Sequence, residues 1–412
     1  MCSDKTNDSA LRARALRVIP NGMYGHQSAR RFPASYPQYF ERAEGCRIWD
    51  VDGRQFIDYL CGYGPILLGY QHPKIDEAAA RQQKKGDVMT GPGSVMVELA
   101  EEFVRLVGHA DWALFCKNGT DATSTAISVA REYRGSRKVL IAEKAYHGSA
   151  AWCTPLPGGV LKEDRAHFIY FKYNDIESLE RASEEAAGDL AGILVSPYKH
   201  DVYVDQESVD PAFAKRCRAI CDEKDAILML DDVRAGFRLD RESSWARLGI
   251  QPDLSAWGKT IANGHPISAL LGNERCRATV PKVYVTGSYW FAAAAMAASL
   301  ATLHEIRSSG YLEHIVRVGE MLRQGLAKQA AAYGIGLRLT GPVQMPQMLF
   351  DDDPEYKKSF VWGEYLIGHG IYFHPWHNMF ISAAHSEADI KHTLQVTDRA
   401  FEVLAKSPSV AA

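Results

Sequence analysis

Short apolar runs punctuate the middle of the chain: Trp112–Cys116, Lys138–Ala142, Phe168–Phe171, Gly192–Val195, Ala226–Leu230, Leu254–Trp257 and Ile267–Leu271. Polar residues or glycine bound each one, the pattern of a strand buried on both faces. Several of the stretches between them have helical character: Asp121–Tyr133, Ile176–Ala187 and Pro211–Lys224. The last opens after Asp210 with proline in the first turn, a helix-start signal. This alternation predicts an α/β fold, a mostly parallel central sheet with helices on both faces. In such sheets ligands bind outside the carboxyl ends of the strands.

The chain ends follow another pattern. Arg42–Tyr59 predicts two strands joined by a Val51-Asp52-Gly53-Arg54 turn. Met296–Gly334 is strongly helical, Ile335–His385 mixes short strands and turns, and Glu387–Lys406 is a closing helix. These features divide the chain into 1–60, 61–290 and 291–412. The two ends form one smaller α+β domain beside a large central one. A length of 412 residues suits that division better than a single small core.

Composition adds exclusions. The chain is 46% hydrophobic and 24% charged, ordinary for a globular protein. Its net charge of -3 gives no basic excess for nucleic acid. No apolar run reaches the roughly 18 residues that span a bilayer. The opening MCSDKTNDSA lacks the apolar core of a signal peptide, so a cytoplasmic address is expected. Cys2, Cys46, Cys61, Cys116, Cys153 and Cys276 are scattered, and Cys217 and Cys221 have no second ligand pair nearby. Reduced thiols and no metal site are expected.

Four signals carry chemistry. Asn118-Gly119-Thr120 follows a strand and opens a helix, where free N–H groups and the helix dipole attract an anion. Tyr146-His147-Gly148 follows the next strand and offers an aromatic face to a planar ring. Asp231 ends the apolar strand of Leu230 and requires a cationic partner if buried. A protonated pyridine nitrogen meets that need, and so does Arg234 or Arg238 through an internal salt bridge. Lys259, after Gly258, ends another apolar strand, where desolvation favours its neutral, nucleophilic amine. Together these supply a phosphate cradle, a ring stacker, an acid for a ring nitrogen and an amine for an aldehyde, the requirements of pyridoxal 5'-phosphate (PLP).

On these residues the chain resembles the class III, fold type I PLP-dependent aminotransferases, and within them the glutamate-1-semialdehyde aminomutase branch. Further similar segments are Phe40–Gly45, Ile48–Gly53, Gly64–Gly69 with His72-Pro73, Pro252-Asp253-Leu254 and Ala384-His385. The resemblance implies that Lys259 forms the Schiff base and shuttles the proton. It implies that Asp231 pairs with the pyridine nitrogen, with Val233 backing the ring opposite Tyr146. Asn118, Gly119, Thr120 and His147 complete the cofactor contacts. Ser288 stands where relatives carry Thr and reach the phosphate of the neighbouring subunit, which implies a homodimer with active sites at the interface.

Departures fall on the substrate side. Asp232 replaces a usual Glu, Ser196-Pro197 a usual Glu-Pro, and Phe291-Ala292-Ala293 a Gly-Asn-Pro. The aminomutase pocket Glu and Ser have no match in His374–Phe380 or Met23–Gln27. Transfer between two substrates, by a ping-pong route from an amine donor to a keto or aldehyde acceptor, is therefore favoured. The alternatives are aminomutation, a racemase or decarboxylase on the same fold, and a binding protein with a relic site. Arg30 or Arg31 is a candidate carboxylate clamp. His26, Tyr63, Trp152, His200, Trp376 and His377 are candidate pocket residues, suited to an aromatic, hydroxylated or sugar-like acceptor.

Overall fold

The structure, a computed structural model, describes residues 6–200 and 203–407. Cys2, the remainder of Met1–Lys5 and Asp201 lie outside the described residues. The central sheet has seven strands in the order Trp112–Cys116, Ser268–Gly272, Leu254–Trp257, Ile227–Asp231, Leu190–Val195, Lys138–Ala142 and Phe168–Phe171. Each matches an expected apolar run to within two residues. Only Ser268–Gly272 runs antiparallel to its neighbours; the other pairings are parallel. Leu190–Val195, Ile227–Asp231, Leu254–Trp257 and Ser268–Gly272 are buried at every position. A strand covered on both faces has no polar side to alternate with, which explains the unbroken apolar runs.

The expected helices form as Gly119–Arg134, Ile176–Glu185 and Pro211–Glu223, capped by the side chains of Asn118, Asp175 and Asp210. Because the flanking strands point one way, the segments after Cys116, Ala142, Asp231 and Trp257 all emerge at one edge of the sheet. That edge carries the Asn118, Tyr146, Asp231 and Lys259 segments.

The two chain ends meet in a second sheet, ordered Phe40–Glu44, Arg47–Asp50, Gln55–Asp58 and Ile371–Tyr372. The expected turn joins Arg47–Asp50 to Gln55–Asp58, and the C-terminal Ile371–Tyr372 pairs parallel to Gln55–Asp58. Fully buried Arg238 fastens these ends to the segment that follows strand Ile227–Asp231. It donates to Gly64 O at 2.6 Å and Ile381 O at 3.0 Å, and lies over the Phe380 ring.

The helical stretch Met296–Gly334 forms as two helices, Ala293–Ser308 and Tyr311–Ala332, separated by Ser309 and Gly310. One expectation needs correction. The segment read as strands and turns contains a helix, Lys357–Gly368, with Ser359, Trp362, Gly363, Leu366 and Ile367 buried. Its glycines weaken the helical signal, and burial of Trp362 and Leu366 supplies the stability that propensity does not. Helices Asn7–Val18, Pro73–Lys85 and Val95–Leu106 were not anticipated; the last two pack on Ala293–Ser308. Among the described residues no helix is long and apolar enough to cross a membrane.

Candidate active site

Asp231 sits at the end of its strand, 5% exposed. Its Oδ2 lies 2.7 Å from His147 Nδ1, and its Oδ1 accepts from Val233 N at 3.2 Å. An ionised carboxylate only accepts, so Nδ1 carries the proton. The internal partner is therefore His147, not the Arg234 or Arg238 of the alternative salt-bridge reading. His147 is itself fixed, since its carbonyl accepts from Thr123 Oγ1 at 2.8 Å. The carboxylate keeps lone pairs for a donor in the cavity, such as a pyridinium N–H.

The anion cradle forms where Gly119–Arg134 begins. Asn118 and Asp121 cap each other reciprocally, so the Asn118 side chain shapes the turn. Among the described residues the N–H groups of Gly119 and Thr120 take no backbone acceptor, as expected in a helix's first turn. Thr120 Oγ1 accepts from Ser149 N at 3.2 Å, joining the Tyr146-His147-Gly148 segment to the cradle. Two glycines permit this. A Cβ on Gly119 would come 2.8 Å from Val233 Cγ1. Gly148 has φ +128°, and a Cβ there would overlap Thr120 Oγ1.

Lys259 follows its strand with φ +47°, a left-handed conformation that non-glycine residues rarely adopt. Burial, then the charge of Arg234, brings its amine down to about 8, against the opposing pull of Asp231. The amine is thus a nucleophile near neutral pH.

These groups converge on one cavity of about 290 Å³, lined by Asn118, Gly119, Thr120, Tyr146, His147, His200, Asp231, Val233 and Lys259. Sequence reasoning named all of these. It did not name Arg234, Gly148 and Ser149 as site residues, although they line the same cavity. An arginine directly after the Asp231-Asp232-Val233 turn was the available signal.

The remaining candidates divide. The His26 ring packs edge-on to Tyr63 at 4.4 Å, and Tyr63 lies 5.2 Å from His377. Burial lowers the pKa of both histidines, and the charges of Lys259 and Arg234 lower them further, but His26, Tyr63 and His377 lie outside the cavity lining. Burial, then Arg234, likewise holds His200 well below its usual range. Trp152 stacks on Phe168 and donates to Ser124 Oγ at 3.0 Å, packing behind His147 rather than lining the cavity. Trp376 is buried among Phe32, His374 and Tyr356. Arg30 is exposed and donates to Asn21 Oδ1 at 2.9 Å, and Arg31 is exposed. Neither lines the cavity of this chain. Ser288 is exposed and also outside the cavity lining.

Residues 31–386 match the family model for aminotransferase class III. The chain belongs to the class III aminotransferases. This class III aminotransferase is 50% identical over 401 residues to the aminopentol aminotransferase of Sphingopyxis macrogoltabida, covering 97% of this chain and 95% of the relative. A glutamate-1-semialdehyde 2,1-aminomutase of Polaromonas naphthalenivorans is 31% identical, covering 96% of each. The solved PLP internal aldimine form of the Sphingopyxis sp. MTA144 FumI protein superposes with a TM-score of 0.95 at 51% identity, covering 96% of this chain and 95% of that one. The fold is thus PLP fold type I, and the cofactor of this aminotransferase is PLP. The residues fit it: the glycine-lined cradle suits a phosphate, Asp231 a pyridinium, and Lys259 an aldehyde.

Proposed function

We propose that this PLP-dependent aminotransferase takes the amino group from an aminopentol-type amine, an amino polyol, and passes it to a separate carbonyl acceptor. Half of all aligned positions agree with the aminopentol aminotransferase over nearly the whole of both chains. That agreement carries the reading. His26, Tyr63, His200 and His377 support it, because neutral imidazoles and a phenol both accept and donate, as hydroxyl recognition requires.

Bound PLP supplies an electrophilic carbon and an electron-withdrawing pyridinium. Lys259 Nζ would hold the cofactor's aldehyde carbon and, once released, would take the proton from the amine-bearing carbon of the donor. Asp231, steadied by His147, would keep the ring nitrogen protonated. Val233 and Tyr146 would pack against the ring, and Gly119 and Thr120 would hold the phosphate. Ser288 would reach the phosphate of a second copy, which makes the working unit a homodimer with its sites at the interface. The exposure of Ser288 supports that role. The seven described cysteines are all free and buried, in keeping with a reducing cytoplasm.

The test is a panel of amines added to the yellow holoenzyme. An amino polyol should bleach the cofactor absorbance and yield one equivalent of ketone, and a separate acceptor should restore the colour. Rearrangement of a single substrate with no external acceptor would replace this reading by aminomutation.

A further inference from the structure

Strand Gln55–Asp58 ends in a carboxylate that is 2% exposed. Asp58 Oδ1 accepts from Leu60 N at 2.7 Å. Its Oδ2 accepts from Cys61 N at 3.0 Å and from the Tyr70 hydroxyl at 2.8 Å. All three partners are uncharged. The chain that follows is left-handed for four residues in a row: Cys61, Gly62, Tyr63 and Gly64 have φ of +49°, +62°, +65° and +103°. Two of them are not glycine. Such backbone is disfavoured for a residue with a Cβ and persists only where its surroundings over-determine it. Asp58 takes two successive N–H groups at the entry to the turn, and Arg238 Nη2 donates to Gly64 O at 2.6 Å at its exit.

The turn ends against the reactive lysine. A Cβ on Gly64 would lie 2.8 Å from Phe380 Cε1 and 3.4 Å from Lys259 Cδ. Main chain therefore forms one wall along the methylene stem of Lys259. A lysine stem is flexible. Proton transfer needs the amine within hydrogen-bond reach of the reacting carbon, and misplacement costs rate steeply. Confining the stem keeps the released amine in range.

We propose that Asp58 is a positioning residue for Lys259: its carboxylate holds the left-handed Cys61–Gly64 turn, and the turn confines the lysine stem so that the amine meets the proton it moves. Asp58 lies outside the cavity lining and acts through the turn. The inference rests on the reading of Lys259 as the proton-moving amine. Asparagine at this position keeps the shape, but it has one acceptor oxygen where the carboxylate has two, and it sets an amide N–H group against a main-chain N–H. Asp50 is a matched control. It is also buried, and its Oδ1 accepts from Asp52 N at 3.0 Å and Arg54 N at 2.8 Å in the hairpin turn of the same sheet.

The experiment compares wild type, Asp58→Asn and Asp50→Asn as holoenzyme and apoenzyme, with Tm measured for each. Serinol, an amino diol, serves as donor in single turnovers that bleach the cofactor. In Asp58→Asn the limiting rate should fall about 10-fold or more, against the roughly 100-fold that a 1 Å misplacement can cost, while the half-saturating concentration stays within about threefold. Serinol deuterated at its amine-bearing carbon should bleach this variant more slowly than ordinary serinol, by a ratio no smaller than in wild type. Capture of PLP by the apoenzyme uses the same amine and should slow as well. Asp50→Asn should lose Tm but keep the wild-type rates. Equal rate losses in the two variants, or a smaller isotope ratio in Asp58→Asn, would leave Asp58 a purely structural role and overturn the proposal. Should Asp58→Asn fail to fold, Gly64→Ala presses a methyl group onto Phe380 and the lysine stem with the carboxylate intact. Slower PLP capture and slower bleaching in that variant support the turn as the wall of the lysine, and wild-type rates overturn it. If serinol and other amines fail to bleach the wild type, the transfer reading fails alone, and PLP capture by the apoenzymes still judges Asp58.

Discussion

His147 Nδ1 and Asp231 Oδ2 lie 2.7 Å apart, although 84 positions separate them in the chain. The pair fixes the imidazole tautomer and leaves His147 Nε2 buried without a partner among the described residues. It also orients the carboxylate proposed to face the pyridine nitrogen. Asp231→Asn keeps the shape and removes the charge. The expected loss in kcat is on the order of 100-fold, as for a charged hydrogen bond worth roughly 3 kcal/mol. The aminated cofactor should show the altered ring protonation in its absorbance. An unchanged kcat would remove Asp231 from the mechanism.

Lys259→Ala should leave the fold intact and abolish turnover. PLP should still enter the cradle of Gly119 and Thr120, but borohydride should no longer fix it to the protein. Mass spectrometry of the reduced protein checks this; a retained adduct on the variant would place the covalent bond elsewhere.

The amine of Lys259 is held at about 8 instead of 10.5. Capture of PLP by the apoenzyme needs the neutral amine, so its rate should rise with pH and level off above about 8. Between these two values the unfolded chain holds a proton that the folded one has released. Apoenzyme stability should therefore gain from this group as pH rises through that window. Stopped-flow absorbance reads the first effect, and a midpoint near 10.5 would contradict it.

Gly148→Ala places a methyl group onto Thr120 Oγ1 at a φ of +128°. The strained backbone should cost about 1–3 kcal/mol of stability. The displaced Thr120 should weaken PLP binding more than it lowers Tm. Cofactor titration against thermal unfolding separates the two, and equal PLP affinity would detach Thr120 from the phosphate.

Asp232, fully buried and bonded to Ser244, is raised from 3.8 to about 7, first by burial and further by Asp231. Between those values the unfolded chain has lost the proton and the folded one retains it, so rising pH favours unfolding. The penalty is complete above about 7. Asp232→Asn should flatten this dependence and gain about 2 kcal/mol at pH 8, allowing for relaxation around the buried group. Denaturant midpoints at pH 5 and pH 8 measure it; an equal pH slope in both proteins would show that Asp232 stays ionised throughout.

The strands and the order of the reactive segments were readable because a sheet covered on both faces demands unbroken apolar runs. Parallel strands also deliver all their carboxyl ends to one edge. Asn118, Tyr146, Asp231 and Lys259 therefore belonged together before any coordinate was known. Helix Lys357–Gly368 was not readable, since its stability comes from burying Trp362 and Leu366 against distant residues.

Sequence alone determined which groups stand at the sheet edge, through local periodicity and turn chemistry. Only the tertiary structure decided their pairing. It gave Asp231 to His147, left Arg234 with no carboxylate partner among the described residues, and put Arg30 outside the cavity lining. Ion pairing and desolvation depend on distances of a few ångströms between residues far apart in the chain, and packing sets those distances.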